Sequence, residues 1–232
     1  MVLSDVRELD SAVLRSDNLA SITRLRIEGS GVTGIAEGAF SSFRNLTNLS
    51  LKRNLLTEMN PNWFGRPDIL SELSLAENQI KVLNESMLNG LNNLLRLSLH
   101  KNKIRTIDPN TFISNTVLAE LDLSENMMTR LSPQVFRSLG SPRIRLDGNP
   151  WDCSCGAEDF VDFLKEGGVT CESPPSLRGQ PVLNVSVCAT SPPPTAVTPP
   201  TSGTPMIVFP LVPDIMCAQY LCCSLLIHSL DL

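Results

Sequence analysis

Six segments of the chain repeat at nearly constant spacing, and this period limits the possible folds more than any other feature. ITRLRIEGS, LTNLSLKRN, LSELSLAEN, LLRLSLHKN and LAELDLSEN begin at Ile22, Leu46, Leu70, Leu94 and Leu118. SPRIRLDGN begins at Ser141, so the spacings are 24, 24, 24, 24 and 23. Each segment follows L-x-x-L-x-L-x-x-N and continues with apolar residues further downstream. A bulky residue follows at Phe40, Phe64, Leu88, Phe112 and Phe136. A period of about 20–50 residues marks an array of stacked units that each contact only their neighbours.

The pattern within one unit has a physical reading. Alternation in x-L-x-L-x predicts a short strand with leucines inward and the intervening residues outward. Stacking the units then pairs these strands into one parallel sheet. Asn54, Asn78, Asn102, Asn126 and Asn149 fall where the chain turns inward after the strand. There an amide can bond backbone groups of neighbouring turns, where an unpaired buried polar group would cost ~1–3 kcal/mol. Ser30 occupies this position in the first unit, so that end is expected to be less regular. On the return path, Asn60-Pro61, Asp108-Pro109 and Ser132-Pro133 predict short helical turns, each followed by a bulky plug for the convex side. Such an array needs a cap at each end.

Cysteines gather where the repeats stop. NPWDCSC (149–155) leads into GAEDFVDFLKEGG, an expected amphipathic helix with Phe160, Phe163 and Leu164 on one face, and then through Cys171 to Cys188. Disulfide staples are the expected use of Cys153, Cys155, Cys171 and Cys188, with a four-thiolate zinc site and a redox pair as rivals. Zinc sites usually pair their ligands as C-x₂-C, whereas here one C-x-C is followed by two single cysteines. Seven cysteines with only two histidines also point to an oxidising compartment.

Repeats and cysteine cluster together resemble the extracellular leucine-rich repeat proteins with a cysteine-rich carboxy-terminal cap, over about residues 22–188. The resemblance implies an α/β solenoid, a right-handed horseshoe with a parallel sheet on its concave face and a disulfide-bonded cap. It implies the pairs Cys153–Cys171 and Cys155–Cys188, and non-catalytic binding of a protein ligand on the concave face. Within the family, SLGSPRIRLDGNPWDCSC is most like secreted and platelet-surface members. Two features depart from the family pattern. Only 15 residues separate Cys155 from Cys171, which suggests a deletion near Gly167-Gly168, and there is no cysteine-rich amino-terminal cap.

The chain therefore divides into an incomplete repeat or cap (1–21), five 24-residue repeats (22–140) and a last strand with the cysteine-rich cap (141–188). A Pro/Thr-rich linker (189–205) and an apolar tail (206–232) follow. In the tail only Ile215–Ile227 is uninterrupted, short of the ~20 residues of a membrane span. Ser202-Gly203-Thr204 lack the polar spacer of a lipid-anchor signal. A terminus outside the fold is expected there, with membrane attachment as the alternative. MVLSDVRELD is not a secretory signal, so the expected extracellular location goes with an amino terminus lying further upstream.

Candidate interaction residues follow from the strand alternation. The first outward positions, Arg24, Asn48, Glu72, Arg96, Glu120 and Arg143, predict a ladder of alternating charge. Lys52, Arg53, His100, Lys101 and Asp122 extend it into a polar face for a protein partner. Alternatively, the charges only neutralise one another on a solvated sheet. His100 is expected to face solvent. Sequons at Asn45, Asn48, Asn84 and Asn184 are candidate glycosylation sites, with Asn84 on the outer return path the best placed. A net charge of −5 argues against nucleic acid and anionic lipid as partners. No phosphate loop, metal motif or catalytic signature is present, so no cofactor, metal or small-molecule substrate is expected. The alternative function is a membrane-attached adhesion or pattern-recognition receptor using the same face.

Overall fold

The computed structural model describes residues 7–15, 18–154, 158–165 and 168–185. In chain order its strands are β1 (Glu8–Leu9), β2 (Arg24–Arg26), β3 (Gly34–Ile35), β4 (Asn48–Ser50), β5 (Glu72–Ser74) and β6 (Val82–Leu83). There follow β7 (Arg96–Ser98), β8 (Thr106–Ile107), β9 (Glu120–Asp122), β10 (Arg143–Arg145), β11 (Trp151–Asp152) and β12 (Cys171–Ser173). Six of them form one parallel sheet in the order β10-β9-β7-β5-β4-β2. Its register carries the period directly, since Leu25, Leu49, Leu73, Leu97, Leu121 and Ile144 are successive partners. This is the leucine-rich solenoid with a parallel sheet that the period predicts.

Behind the sheet, the two inward leucines of each repeat and its downstream apolar residues form one continuous core. The asparagine ladder closes each turn. In the third unit, Asn78 Nδ2 donates to the carbonyls of Leu51 (3.0 Å) and Leu75 (3.0 Å), while its Oδ1 accepts from Leu56 N at 3.0 Å. Asn54, Asn102, Asn126 and Asn149 each likewise bond the preceding repeat and their own, and all five are buried. Ser30 makes no such bridge; its backbone N–H is instead served by Asn54 Oδ1 at 3.1 Å. Leu25 in β2 is correspondingly only half-buried, whereas Leu49 in β4 is buried.

To place the asparagine, the preceding residue takes a left-handed conformation, with φ of 57° at Arg53, 55° at Glu77, 58° at Lys101 and 51° at Glu125. Gly148 serves the same position in the last unit, where an added Cβ would come within 2.9 Å of Glu125 Cγ.

Return paths vary more than the strands. Prolines open 3-10 turns at Pro61–Trp63 and Pro133–Phe136, as expected, and Asn60 Oδ1 caps the first at 2.9 Å from Asn62 N. At Asp108-Pro109 the structure corrects the expected helical turn. The segment stays a plain turn, bonded sideways by Thr111 Oγ1 to the Leu83 carbonyl at 3.2 Å. A helix forms instead in a repeat without a proline: α1 (Glu85–Leu88), whose N-cap Asn84 accepts from Met87 N at 3.2 Å. The plugs stack along the convex side, Phe40 on Phe64 at 5.6 Å and Phe112 on Phe136 at 5.9 Å.

Residues 7–15 add half a turn. β1 pairs with β3, and Leu9 and Leu14 are buried against the first full repeat. At the other end Trp151 is fully buried, with Nε1 donating to the Leu146 carbonyl at 3.0 Å. It meets Phe160 of helix α2 (Glu158–Leu164) at 5.3 Å. Phe160 and Leu164 face inward as expected, but Val161 is also fully buried, while Phe163 is only partly covered. Cys153 and Cys171 form a disulfide with Cα atoms 5.8 Å apart, so neither sulfur is available as a zinc-ligating thiolate. The short connection to Cys171 does not prevent parallel pairing of β11 with β12. Cys155, Cys188 and residues 189–232 lie outside the described residues, as do the second expected disulfide, the linker and the tail. Among the described residues no helix is long and apolar enough to cross a membrane.

Candidate interaction surface

Because outward side chains alternate with the buried leucines, the sheet presents three rows in register. The first row is Arg24, Asn48, Glu72, Arg96, Glu120 and Arg143; the second is Arg26, Ser50, Ser74, Ser98, Asp122 and Arg145. Beyond the strand ends, the third row runs Glu28, Lys52, Ala76, His100, Ser124 and Asp147. The first two rows, with Glu28 and Lys52 of the third, line an open concavity of ≈ 630 Å³. Three successive serines keep its middle low, with charged side chains at both ends.

The expected charge ladder is only partly formed. Arg96 pairs with Glu72, but Glu120 makes no ion pair among the described residues, although it sits in register between Arg96 and Arg143. Arg96, helped by Asn48 and Arg24, holds the Glu72 carboxyl below its ordinary value against the opposing effect of burial. Within the second row Asp122 accepts from Arg145 at 3.3 Å, and between the second and third rows Glu28 accepts from Ser50 Oγ at 2.5 Å.

Along the rim, Lys52 and Arg53 converge on Glu77 at 3.0 and 3.8 Å, and the Lys52 contact lowers the Glu77 carboxyl from its usual range. Lys101 and His100 approach Glu125 at 3.9 and 3.8 Å. Arg26, Glu28 and Arg145 stand in these rows, where the period makes them legible; Glu77 and Glu125 follow the third row in the left-handed position, where strand alternation does not reach.

His100 is half-buried rather than fully solvent-facing. Its Nδ1 lies 2.9 Å from Ser124 Oγ, and Ser124 Oγ lies 2.5 Å from Asp122 Oδ1. A serine has one hydroxyl proton. Given to Asp122, that proton leaves Ser124 Oγ to accept from His100 Nδ1, so the histidine cannot deprotonate the serine. Ser124 is also fully buried. The trio contains the residue types of a hydrolase triad, but with the serine in the middle it acts as a strut between two repeats.

The four sequons have different surroundings. Asn45 Nδ2 donates to the Ala20 carbonyl at 2.8 Å, so its nitrogen already has a structural bond. Asn48 is half-buried in the concave sheet, where its Oδ1 accepts from Thr47 Oγ1 at 2.8 Å. Asn84 uses only its oxygen, accepting from Met87 N and from Ser86 Oγ at 2.6 Å. Asn184 is exposed at the end of the Val182–Asn184 3-10 turn in the cap.

A parallel solenoid with polar residues on the inner sheet, an asparagine ladder and a disulfide-closed end defines the class of leucine-rich repeat proteins. The leucine rich repeat family model matches residues 20–80, 68–118 and 96–150, and the chain belongs to that family. Among solved structures it is similar to human 5T4 (Wnt-activated inhibitory factor 1, trophoblast glycoprotein). The two share 26% identity and a TM-score of 0.58, over 78% of this chain and 82% of that one. No curated protein sequence matches the chain. Such repeats are generally non-catalytic modules for protein interaction.

Proposed function

We propose that the chain is an extracellular, non-catalytic recognition protein that takes up a protein ligand on its concave face. One observation carries the reading. Two rows of six outward side chains stand in register on a sheet whose turns, from the second repeat on, are locked by buried asparagines, so the face is organised before any ligand arrives. Little ordering entropy then remains to oppose binding. The Cys153–Cys171 disulfide fits an oxidising compartment, and the run from Ser138 to Cys155 most resembles leucine-rich alpha-2-glycoprotein and its secreted relatives. On this reading the protein is a soluble glycoprotein. The solved relative's name describes an inhibitory factor activated by Wnt, which accords with a role in recognition between proteins.

The test is capture of proteins from plasma or cell-surface extracts on the immobilised chain. Arg96→Glu and Asp122→Arg are compared with a control reversal at the exposed, convex-side Lys81. The reading expects a defined partner lost with the concave reversals and retained with Lys81→Glu. A partner indifferent to the concave reversals refutes it.

A further inference from the structure

Between the return paths of the second and third repeats lies an open groove of ≈ 370 Å³. One wall is Glu58–Asn62, which runs into the 3-10 turn Pro61–Trp63; the other is Asn84, the start of α1 and Asn89. The side chains that line it include Met59 and Met87, both buried, while Glu58, Asn62 and Asn89 stand exposed on the rim. Asn60 and Asn84 occupy the same place in their repeats, 24 residues apart. Each uses Oδ1 to cap the turn that follows, and neither Nδ2 has a partner among the described residues.

The lining selects the occupant. Protein interfaces concentrate their binding energy on aromatic and arginine anchors, and among the described residues no lysine, arginine or aromatic ring lines this groove. Carboxamides and one carboxylate around two methionines suit a sugar instead. Its hydroxyls match the amides, and an acetamido methyl matches the soft thioethers. The wall also carries a tether, because Asn84-Glu85-Ser86 is a sequon and Nδ2 is the atom to which a glycan attaches.

We propose that the glycan on Asn84 is a structural part of the fold, with its first N-acetylglucosamine seated in this groove and bridging the second and third repeats. The proposal rests on the extracellular reading, because the sugar donor, a lipid-linked oligosaccharide pyrophosphate, is met in the secretory pathway. In the transfer, Asn84 Nδ2 loses one proton and bonds to C1 of the sugar. The bond from C1 to the pyrophosphate oxygen breaks, and the pyrophosphate leaves with the electron pair. Oδ1 takes no part, so the cap on α1 persists. The covalent link holds the first sugar at a high effective concentration beside the groove, so weak contacts suffice to seat it. Seated on the return path, it leaves the concave rows open.

The full chain, expressed through the secretory pathway and trimmed by an endoglycosidase to one N-acetylglucosamine per site, tests this against Ser86→Ala. That variant loses the sequon and keeps Asn84 as the cap, while Ser86→Thr keeps both and controls for the hydroxyl. Peptide mapping reads occupancy of Asn84. Hydrogen exchange reads the amides of Asn62 and Trp63, which bond within the opposite wall. Wild type and Ser86→Thr are expected to carry the sugar and to exchange roughly fivefold more slowly there than Ser86→Ala. A nuclear Overhauser contact from the acetamido methyl to the Met59 or Met87 methyl is expected in the same two forms. An occupied Asn84 with equal exchange in all three forms and no such contact overturns the seating, as does a disulfide-bonded, secreted chain with Asn84 bare. Either result leaves the extracellular reading standing. A chain retained in the cell with Cys153 and Cys171 reduced overturns both.

Discussion

Phe136, the last plug of the repeats, and Phe163 of the cap helix lie face to face, with ring centroids 5.6 Å apart and planes 23° from parallel. Because Phe112 stacks on the other side of Phe136 at 5.9 Å, the convex row of rings runs without a break from the repeats into the cap. Phe136 is 7% exposed and held on both faces, whereas Phe163 is only partly covered. Phe136→Ala is expected to cost about 3–5 kcal/mol and Phe163→Ala about half as much. Thermal or denaturant unfolding of the two variants checks this. Equal losses would mean that the cap is held by Trp151 and the disulfide rather than by the stack.

Asn115 illustrates the opposite case of a buried amide. Its Nδ2 donates to the Leu91 carbonyl at 3.0 Å, but its fully buried Oδ1 has no partner. The corresponding positions in other repeats hold Phe43, Pro67, Leu91 and Leu139, none of them with a side-chain polar group. An orphaned buried acceptor costs ~1–3 kcal/mol, and the Leu91 carbonyl would keep its bond from Leu94 N at 3.2 Å without the amide. Asn115→Leu is therefore expected to stabilise the fold by about 1 kcal/mol, a gain of roughly 2–4 °C in Tm. Asn102→Leu should do the reverse by about 1–3 kcal/mol, since it leaves Ile80 N without a partner and removes one of the two amide bonds to each of the Leu75 and Leu99 carbonyls. Calorimetry of both variants is decisive; a destabilised Asn115→Leu would point to a bound water at Oδ1.

The seam between the last repeat and the cap is sensitive to acid. Partial burial pushes the Asp152 carboxyl up, but the Arg130 side chain and the hydroxyl and N–H of Ser154 together outweigh it and leave the group lowered. Arg130 Nη2 is 2.8 Å from Asp152 Oδ2. A carboxyl lowered by folding contributes stability at pH values above its unfolded value of about 3.9, and that contribution is lost as pH falls through the folded value. Arg130→Gln should thus melt below wild type at pH 7, by no more than about 1 kcal/mol for a half-exposed pair. The difference should shrink as pH falls below about 4, through the lowered folded value. A pH-independent gap between the two melting curves would show that Arg130 acts by packing alone.

What the sequence reveals depends on whether an interaction recurs with the period. Strand register, the inward leucines and the asparagine bridges all repeat every 24 residues, and each was legible before any coordinates. The expected pair Cys153–Cys171 came with the family likeness rather than the period. Contacts made once were hidden. Glu77 and Glu125 lie in the left-handed position, which turns them toward Lys52 and Lys101, and no alternation rule for strands applies there. The His100–Ser124–Asp122 strut crosses from one repeat to the next between residues that look unremarkable in either unit. α1 carries no proline signal, because Asn84 caps its helix through its side chain alone.

Asn84 also distinguishes between the sequons. N-glycosylation attaches sugar to Nδ2, so a site tolerates a glycan only if that nitrogen is not already bonded within the fold. Asn84 meets this condition, because its Oδ1 takes both contacts, from Met87 N and Ser86 Oγ, leaving Nδ2 available on the outer path. Asn45 does not, because its Nδ2 bonds the Ala20 carbonyl across 25 residues of sequence. In protein expressed through the secretory pathway, Asn84→Gln is expected to remove the mass of one glycan. It should also cost about 1 kcal/mol from the lost N-cap, since glutamine is a poor substitute for asparagine there. Asn45→Gln should leave the glycan mass unchanged while lowering Tm slightly through the lost bond to Ala20. Intact-mass measurement before and after glycosidase treatment separates the two; a glycan on Asn45 would mean that modification precedes closure of the first repeat.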